Sequence, residues 1–133
     1  MEYSFVAPTA AEFRALYLAT GWGTPALETC ERALAGSWAV CVARDSSGEL
    51  AGVGRLISDG ALHAYVNEMI VREDVRGAGV GAQILRRLVE AAERAGVVQV
   101  QLFAATGRAD FYARHGFVPR PADAPGMDLP IAT

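Results

Sequence analysis

The apolar positions at the start of the chain predict a strand followed by two helices. Residues 2–6 alternate apolar and polar side chains, as a short strand does. A capping box at residues 9–12, Thr with Glu three positions later, predicts a helix that ends near Gly21. A Thr-Pro pair at residues 24–25 is the start signal of a second helix, which Gly36 would stop. The apolar faces of the two helices would carry Phe13, Leu16, Tyr17, Leu27, Cys30 and Leu34.

Alternating segments separated by turn residues predict an antiparallel run in the middle of the chain. Residues 38–44 and 50–57 flank the turn sequence Asp-Ser-Ser-Gly, which predicts a hairpin. Gly52 and Gly54 interrupt the second strand and indicate a bulge or the close approach of another segment. A further turn then leads into a strand over residues 62–71.

The clearest helix follows a glycine-rich segment at residues 76–81. Apolar side chains recur at helical spacing from Val80 to Ala92, with charged residues opposite them, and Gly96 caps the helix. Residues 97–104 alternate as a strand. Strand, helix and strand in this order predict a right-handed parallel crossover.

The last third of the chain is predicted to hold a short helix through Phe111 and Tyr112, a strand that begins at residues 117–118, and a proline-rich tail. Antiparallel strands followed by a parallel crossover predict a mixed α/β or α+β fold. With 133 residues and no repeat or linker, the chain is expected to form a single domain, residues 1–133.

Composition and charge narrow the classes of function. The net charge of -3 argues against nucleic-acid binding, which needs a basic face. A mildly acidic surface is compatible with a cationic amine substrate, but ordinary solubility charge is the simpler explanation. Cys30 and Cys41 have no metal-binding or CxxC spacing, so we expect reduced core thiols and no metal site. Since no signal peptide and no membrane-spanning apolar run is evident, the expected location is the cytoplasm, without a membrane partner.

The glycine-rich segment is the strongest candidate for a binding site. Glycines at a strand-to-helix junction leave amides unpaired at the positive end of the helix, and a phosphate can approach a backbone that lacks side chains. Arg76 adds positive charge. By itself such a turn could also be a loop that binds nothing. The spacing and the missing acidic partner disfavour a dinucleotide-binding turn, and a P-loop would need Gly-Lys-Ser/Thr.

Two motifs together carry a resemblance to a known family. The Arg-x-x-Gly-x-Gly core at Arg76, Gly79 and Gly81 resembles the acyl-CoA motif of the GNAT family, the GCN5-related N-acetyltransferases. Residues 111–117, Phe-Tyr-Ala-Arg-His-Gly-Phe, resemble the later Phe-Tyr-x-x-x-Gly-Phe signature of that family. The resemblance covers most of the chain. It implies the GNAT fold, a mixed and mostly antiparallel sheet that splays open at its parallel strand pair and is flanked by about four helices.

The resemblance also implies acetyl-coenzyme A as the cofactor. Its pantetheine arm would lie in the splay, against free backbone groups of the strand that ends at Val71, and its pyrophosphate on the glycine turn. Many members have an asparagine before the last helix, where this chain has residues 105–107, Ala-Thr-Gly. The Thr106 hydroxyl would either replace part of that contact or cap the short helix. The expected cofactor contacts are Met69, Ile70, Val71, Arg76, Gly77, Ala78, Gly79, Val80, Gly81, Thr106 and Tyr112.

The implied reaction is attack of a primary amine on the thioester, with the coenzyme thiolate leaving. The amine, with a pKa of about 10, must lose a proton. Glu68 is the candidate base, directly or through a water, and its alternative role is that of a solvated or ion-paired glutamate. Tyr112 resembles the family's proton donor to the thiolate, and its alternative role is packing. The backbone N–H near Val71 is the expected oxyanion donor, and His63 and His115 receive no catalytic role.

The acceptor site would be formed by the first two helices, the strand over residues 62–71 and the C-terminal tail. Its candidate residues are Tyr17, Trp22, Tyr65 and Met127, each of which could equally be a core residue. We predict an N-acetyltransferase that acts on a small-molecule amine. The alternatives are transfer to peptide or protein amines and a catalytically silent acyl-CoA-binding module that acts as a sensor or interaction partner. A homodimer is expected only by analogy with many relatives.

Overall fold

The structure is a computed structural model that describes residues 1–131 of the chain. Two compact units can be distinguished within it, one formed by Met1–Leu102 and one that begins at Phe103. The first unit contains a five-stranded sheet and three α-helices, and the second contains one short α-helix in its described part. The single domain expected from the chain length stays a prediction.

The helices and strands follow the order that the sequence pattern predicts. The strands are β1 (Glu2–Ser4), β2 (Ala39–Arg44), β3 (Leu50–Ser58), β4 (His63–Val71) and β5 (Gln99–Leu102). The helices are α1 (Ala10–Ala19), α2 (Leu27–Ala35), α3 (Val80–Arg94) and α4 (Ala109–Ala113), with a short 3-10 turn at Glu73–Val75. No helix in the described part of the chain is long and apolar enough to cross a membrane.

The strands lie in the sheet in chain order, β1-β2-β3-β4-β5. Neighbours are antiparallel from β1 to β4, and β4 and β5 are parallel. The parallel pairing stops where Val66 faces Leu102, the last residue of β5, while β4 continues to Val71. Residues 67–71 therefore have no partner strand on that side within the first unit. The predicted mixed sheet that opens at its parallel pair is confirmed, although β5 is shorter than the predicted residues 97–104.

The start of α1 was predicted correctly and the start of α2 was not. Thr9 Oγ1 accepts a bond from the Glu12 N–H at 3.1 Å, and Glu12 Oε1 accepts one from the Thr9 N–H at 2.9 Å, so the capping box is present. The N-cap of α2 is Ala26 and not Thr24. The Pro25 carbonyl accepts a bond from the Nε of the α1 arginine at position 14, at 2.8 Å, which keeps this stretch outside the helix.

Helices α1 and α2 pack on one face of the sheet. Each large apolar side chain buried there contributes roughly 1.5–3 kcal/mol to folding. The cluster also contains Cys30, one of two free, buried cysteines, as expected for core thiols. Burial raises the pKa of the other, Cys41, to about 11. The buried members of the cluster are Phe13, Leu16, Cys30, Val40, Val42, Leu50, Val53 and Ile70.

Helix α3 packs on the opposite face, where two glycines of β3 let it approach closely. A Cβ at Gly52 would lie 2.9 Å from Ile84 Cδ1, and one at Gly54 would lie 2.8 Å from Ile84 Cγ2. Ile84, Leu85 and Leu88 are fully buried in this contact. The close approach predicted from the two glycines is confirmed, and it fixes the position of α3 over the sheet.

The second unit combines α4 with irregular chain. The ring of Tyr112 lies between those of Phe111 and Phe117, with centroid distances of 5.1 and 5.9 Å. The predicted strand at residues 117–118 is wrong, since residues 114–131 contain no strand. The reason is Pro119, which follows directly and has no N–H to donate to a neighbouring strand. Val118 is accordingly 84% exposed.

Candidate active site

The glycine turn between β4 and α3 has the geometry of an anion site. Gly77 and Gly79 have φ angles of 84° and 80°, in the left-handed region that favours glycine. No atom lies within 4 Å of a Cβ built on either residue, so the space in front of the turn is open. Gly79 is the N-cap of α3 and offers no side chain to its first amides. The free N–H groups of that turn lie at the positive end of the helix.

Six of the predicted cofactor contacts lie together in this turn. Gly81 belongs to the first turn of α3, and the side chain of Val80 is buried, so both would contribute their backbone N–H groups. Arg76 is exposed, and its Nε donates a 3.0 Å bond to the Val71 carbonyl. The arginine thereby connects the glycine turn to the end of β4. The six residues are Arg76, Gly77, Ala78, Gly79, Val80 and Gly81.

Arg72 anchors the segment that leads into the turn. Its guanidinium contacts Asp74 at 2.6 Å and Asp45 at 2.9 Å, and donates to the Leu50 carbonyl at 3.2 Å. Hydrogen bonds from Arg72 hold the pKa values of both carboxyl groups below their usual range, so the contacts persist as ion pairs at neutral pH. The start of the turn is thus tied to the β2–β3 hairpin.

The open edge of β4 contains a bulge. Glu68 and Met69 together face a single residue of β3, Gly54, because the register shifts by one position there. Glu68 has a φ of 45°, and among the described residues it is the one non-glycine with a positive φ. Such a conformation is costly for a residue with a Cβ and needs support from its surroundings.

The N–H of Val71, at the end of β4, has no partner strand within the first unit. The Arg72 N–H donates to the Ala51 carbonyl of β3 at 2.8 Å. Successive N–H groups of a strand point to opposite sides, so the N–H of Val71 points toward the edge that β5 leaves free. This is the predicted position of the oxyanion donor. The side chain of Ile70 is buried in the core, which leaves only its backbone for any cofactor contact.

Glu68 forms an ion pair with Arg55 of β3. Arg55 Nε lies 2.8 Å and Nη2 lies 2.7 Å from the same carboxylate oxygen, Oε1. The Glu68 side chain is 20% exposed and that of Arg55 is 13% exposed, so the pair is partly shielded from water. Glu68 is therefore ion-paired, as its alternative role predicted. No described residue bonds to the second oxygen, Oε2, so this oxygen could still accept a proton.

Tyr17 and Trp22 lie together near this ion pair. Their rings meet edge to face at a centroid distance of 5.9 Å. Burial, and then the nearby negative charge of Glu68, raises the pKa of Tyr17, so its hydroxyl is protonated at neutral pH. Tyr65 is half-buried on β4, two positions before the strand loses its parallel partner, and stacks on His63 at 6.2 Å. Trp22 is 49% exposed, which makes it a surface residue and not a core residue.

The remaining predicted site residues lie in the second unit. Burial raises the pKa of Tyr112, so its hydroxyl stays protonated at neutral pH, as a proton donor requires. The N-cap of α4 is Arg108, without a side-chain bond, so the reading of Thr106 as the helix cap is wrong. Thr106 and Met127 are both exposed. Within residues 1–131, no group of three or more His, Cys, Asp and Glu could hold a metal ion.

Sequence reasoning missed Arg55 as a residue of this site. Arg55 follows Gly54 in a strand whose other positions from Leu50 to Leu56 are buried and apolar or glycine. A charge in such a segment needs a partner, and that is the signal that could have identified it. Asn67, half-buried on β4 opposite Arg55, was also missed, and its amide bonds only weakly to the Tyr65 carbonyl at 3.4 Å.

Comparisons with known proteins agree with this geometry. A family model described as an acetyltransferase (GNAT) domain matches residues 36–119. The uncharacterized N-acetyltransferase ycf52 of Porphyra purpurea is 30% identical over 83 residues, which are 62% of this chain and 48% of that protein. The chain thus spans about half the length of the curated relatives it matches.

Solved structures share the fold. SA2161 from Staphylococcus aureus, described as a protein of unknown function and probable acetyltransferase, has a TM-score of 0.89 at 24% identity, covering 98% of each chain. Rv2747 from Mycobacterium tuberculosis, solved in complex with CoA and NLQ, has a TM-score of 0.73 at 22% identity, covering 91% of this chain and 74% of its own. At these identities the likeness is one of fold.

Proposed function

The chain belongs to the GNAT family of acetyltransferases, and on that premise we propose that it transfers the acetyl group of acetyl-CoA to a primary amine of a small molecule. The observation that carries the proposal is the arrangement along β4. The open, bulged stretch of β4 that bears Glu68 leads, through the short 3-10 turn, into a glycine turn with free amides. The first suits the reacting groups and the second suits the phosphates of the coenzyme.

The residues of the turn fit the coenzyme. Gly77 and Gly79 leave open space in front of the first N–H groups of α3, and Arg76 supplies a positive charge beside them. Backbone groups of Met69 and Val71 on the open edge of β4 would bind the pantetheine arm, with Thr106 as a further contact. Acetyl-CoA supplies the thioester that donates the acetyl group.

Glu68 is proposed to take the proton from the attacking amine, directly or through a water. A primary ammonium with a pKa of about 10 is almost fully protonated at neutral pH and has no lone pair with which to attack. Oxygen Oε1 of Glu68 is held by Arg55, so Oε2 is the proposed acceptor of the proton. A positioned carboxylate in this role accelerates a reaction by roughly 100-fold or more.

Two donors are proposed for the charge that develops during the transfer. The N–H of Val71 would donate to the carbonyl oxygen of the thioester as that oxygen becomes negative. The hydroxyl of Tyr112 would donate a proton to the departing thiolate. Its raised pKa keeps that proton in place at neutral pH.

A small-molecule acceptor is proposed because the candidate acceptor residues of the first unit are aromatic and the carboxylate near them is already neutralised by Arg55. Tyr17 and Trp22, whose rings meet edge to face, would contact a compact amine, with Tyr65 of β4 as a further candidate, whereas they offer no array of charges for an extended basic peptide. The proposal includes a cytoplasmic location, which suits the free thiols of Cys30 and Cys41, and a homodimer.

A thiol-release assay tests the proposed activity. Purified protein is mixed with acetyl-CoA and a panel of small amines and basic peptides, while free coenzyme thiol is followed. Release that depends on a small amine supports the proposal. Release with peptides only supports a peptide acetyltransferase. Coenzyme binding without any amine-dependent release supports the silent acyl-CoA-binding module.

The role of Tyr112 has its own test. Tyr112→Phe should lower kcat roughly 10-fold and leave acetyl-CoA affinity unchanged, because a thiol with a pKa near 8.5 leaves fairly well without an acid. Tyr3→Phe on β1 is the matched control and should retain full turnover. Equal kcat values for Tyr112→Phe and the wild type would reduce Tyr112 to a packing residue.

A further inference from the structure

Arg55 joins the bulge of β4 to the end of α2, and we propose that it is a positioning residue, one that fixes the Glu68 carboxylate for its part in acetyl transfer. Arg55 belongs to β3 and faces Asn67 of β4, next to the bulge at Glu68 and Met69. The inference rests on the proposed function, in which Glu68 accepts the proton of the amine. Arg55 would touch neither substrate nor coenzyme and would act through Glu68 alone.

The contacts of Arg55 divide the two oxygens of Glu68 between different tasks. Nε at 2.8 Å and Nη2 at 2.7 Å both bond to Oε1. Two charge-assisted donors on one oxygen hold the position of that oxygen more firmly than a single contact would. No hydrogen bond from the described residues reaches Oε2, which leaves this oxygen available to an amine or a water.

The other side of the guanidinium is tied to the C-terminal end of α2. Nη1 donates to Ser37 Oγ at 3.2 Å and to the Ala33 carbonyl at 3.3 Å, and Ser37 Oγ itself donates to that carbonyl at 2.7 Å. The positive charge therefore also lies at the negative end of a helix dipole. With contacts on both sides, the arginine is held in one orientation and can in turn hold Glu68.

The backbone at Glu68 explains why the Arg55–Glu68 contact, which we call the clamp, is needed. Its φ of 45° lies in the left-handed region, which costs an L-residue with a Cβ free energy that must be recovered elsewhere. Without the ion pair, the bulge could relax and redirect both the carboxylate and the neighbouring N–H groups of β4. The clamp thus preserves the local geometry on which the proposed base and the proposed oxyanion donor depend.

The chemistry of the clamp requires arginine. Its planar fork offers donors in two directions, toward Oε1 on one side and toward Ser37 and the Ala33 carbonyl on the other. A lysine at position 55 would keep the charge but has one nitrogen, which cannot reach both sides. Arg55→Lys is therefore expected to recover only part of the function that Arg55→Met loses.

A double-mutant cycle tests the proposal. The variants are Arg55→Met, Glu68→Gln and the combination of both, with kcat and KM measured for each. We expect Arg55→Met to lower kcat about 10-fold or more with little change in KM, and the double variant to be no slower than Glu68→Gln alone, since residues that act through one group are not additive. Additive losses would overturn the proposal.

Arg44→Met is the matched control. Arg44 also forms an arginine–glutamate ion pair, with Glu12 at 2.6 Å, and both side chains are partly exposed at 27% and 32%. Its loss should leave kcat unchanged. If Arg44→Met and Arg55→Met lower kcat to the same extent, Arg55 has only a general structural role.

A measurement without turnover separates this inference from the proposed function. Amide hydrogen exchange of residues 67–71 is compared among the wild type, Arg55→Met and Arg44→Met. Faster exchange in Arg55→Met alone supports the clamp, even if no amine in the panel gives thiol release and the proposed function fails. Equal exchange in all three proteins would overturn the clamp whatever the activity assay gives.

Discussion

The two faces of the sheet differ in packing and in charge. On the α3 face, two glycines in β3 let the helix approach so closely that a Cβ at Gly52 or Gly54 would lie under 3.0 Å from Ile84, and this contact is apolar. On the α1/α2 face, the apolar cluster gives way to Arg55 and Glu68, a partly exposed ion pair next to aromatic side chains. The contact of α3 with Gly52 and Gly54 is sealed from solvent, while the other face carries a partly exposed ion pair.

This contrast bears on how β4 would serve both ligands of the proposed function. The sealed contact fixes α3 over the sheet and so fixes the direction of its free N-terminal amides. The charged face supports the bulge that turns Glu68 toward the proposed acceptor. Because β4 takes part in both faces, the two proposed binding regions meet along its open edge without sharing side chains.

The largest expected effect comes from a substitution in the anion site, at the N-terminus of α3. Gly79→Glu should weaken acetyl-CoA binding more than about 100-fold, because it places a negative side chain where the pyrophosphate would bind and forces a left-handed φ on a residue with a Cβ. The dissociation constant, measured by titration calorimetry, checks this. The circular dichroism spectrum should stay that of the wild type.

Gly48→Glu is the control for that substitution. Gly48 lies in the β2–β3 turn, has the same φ of 80° and has nothing within 4 Å of its built Cβ. The new residue therefore carries the same strain and the same charge outside the glycine turn. Equal coenzyme affinity in Gly79→Glu and Gly48→Glu would exclude the turn as the pyrophosphate site.

The next effect tests how tightly α3 packs on the glycines of β3. Gly54→Val should lower the free energy of unfolding by about 1–3 kcal/mol, because its side chain would collide with Ile84 and Met69. Urea denaturation checks this. Gly23→Val meets only an ordinary contact, 3.9 Å to Tyr17, and should cost much less. Equal losses in both variants would contradict the comparison.

The smallest effect concerns a peripheral ion pair on the charged face. The hydrogen bond from Arg44, followed by that from the Thr9 N–H, lowers the pKa of Glu12 from 4.5 to about 2. Since the folded pKa lies below the unfolded one, the pair stabilises the fold above pH 4.5, and this stabilisation is lost as the pH falls toward 2. Solvent screening limits it to about 1 kcal/mol.

Unfolding measured from pH 7 to pH 2 tests this pair. Glu12→Gln should be less stable than the wild type by about 1 kcal/mol at pH 7, and the difference should shrink to a small fraction of that value by pH 2. Glu31→Gln, on an exposed position of α2, is the control and should follow the wild type. A stability difference for Glu12→Gln that persisted at pH 2 would show that its cause is not the ion pair.

Elements with strong local signals were predicted well from the sequence. The capping box of Thr9 and Glu12 is satisfied within four residues, and α3 ends with bonds from Gly96 to Glu93 and from Val97 to Ala92, which also need no distant partner. The start of α2 was misplaced because it depends on a bond from α1 to the Pro25 carbonyl, a contact that no local pattern reveals.

The residues of the candidate site were likewise predicted where their signal is local and missed where it depends on distant contacts. The glycine turn is continuous in sequence, so its motif could be recognised directly. Arg55 and Glu68 lie 13 positions apart, and their pairing depends on a one-residue register shift at Gly54. Alternation alone cannot show on which side of a bulge a side chain lies, since each shift by one residue moves it to the other face.

The order of the strands has a consequence for how the chain folds. Because β2, β3 and β4 are consecutive neighbours joined by turns of a few residues, most of their pairing closes short loops and costs little chain entropy. During synthesis this antiparallel part can assemble before the crossover through α3 is complete. The parallel pair of β4 and β5 would then close after the antiparallel part, so the segment proposed to hold the coenzyme would be placed on a sheet that already exists.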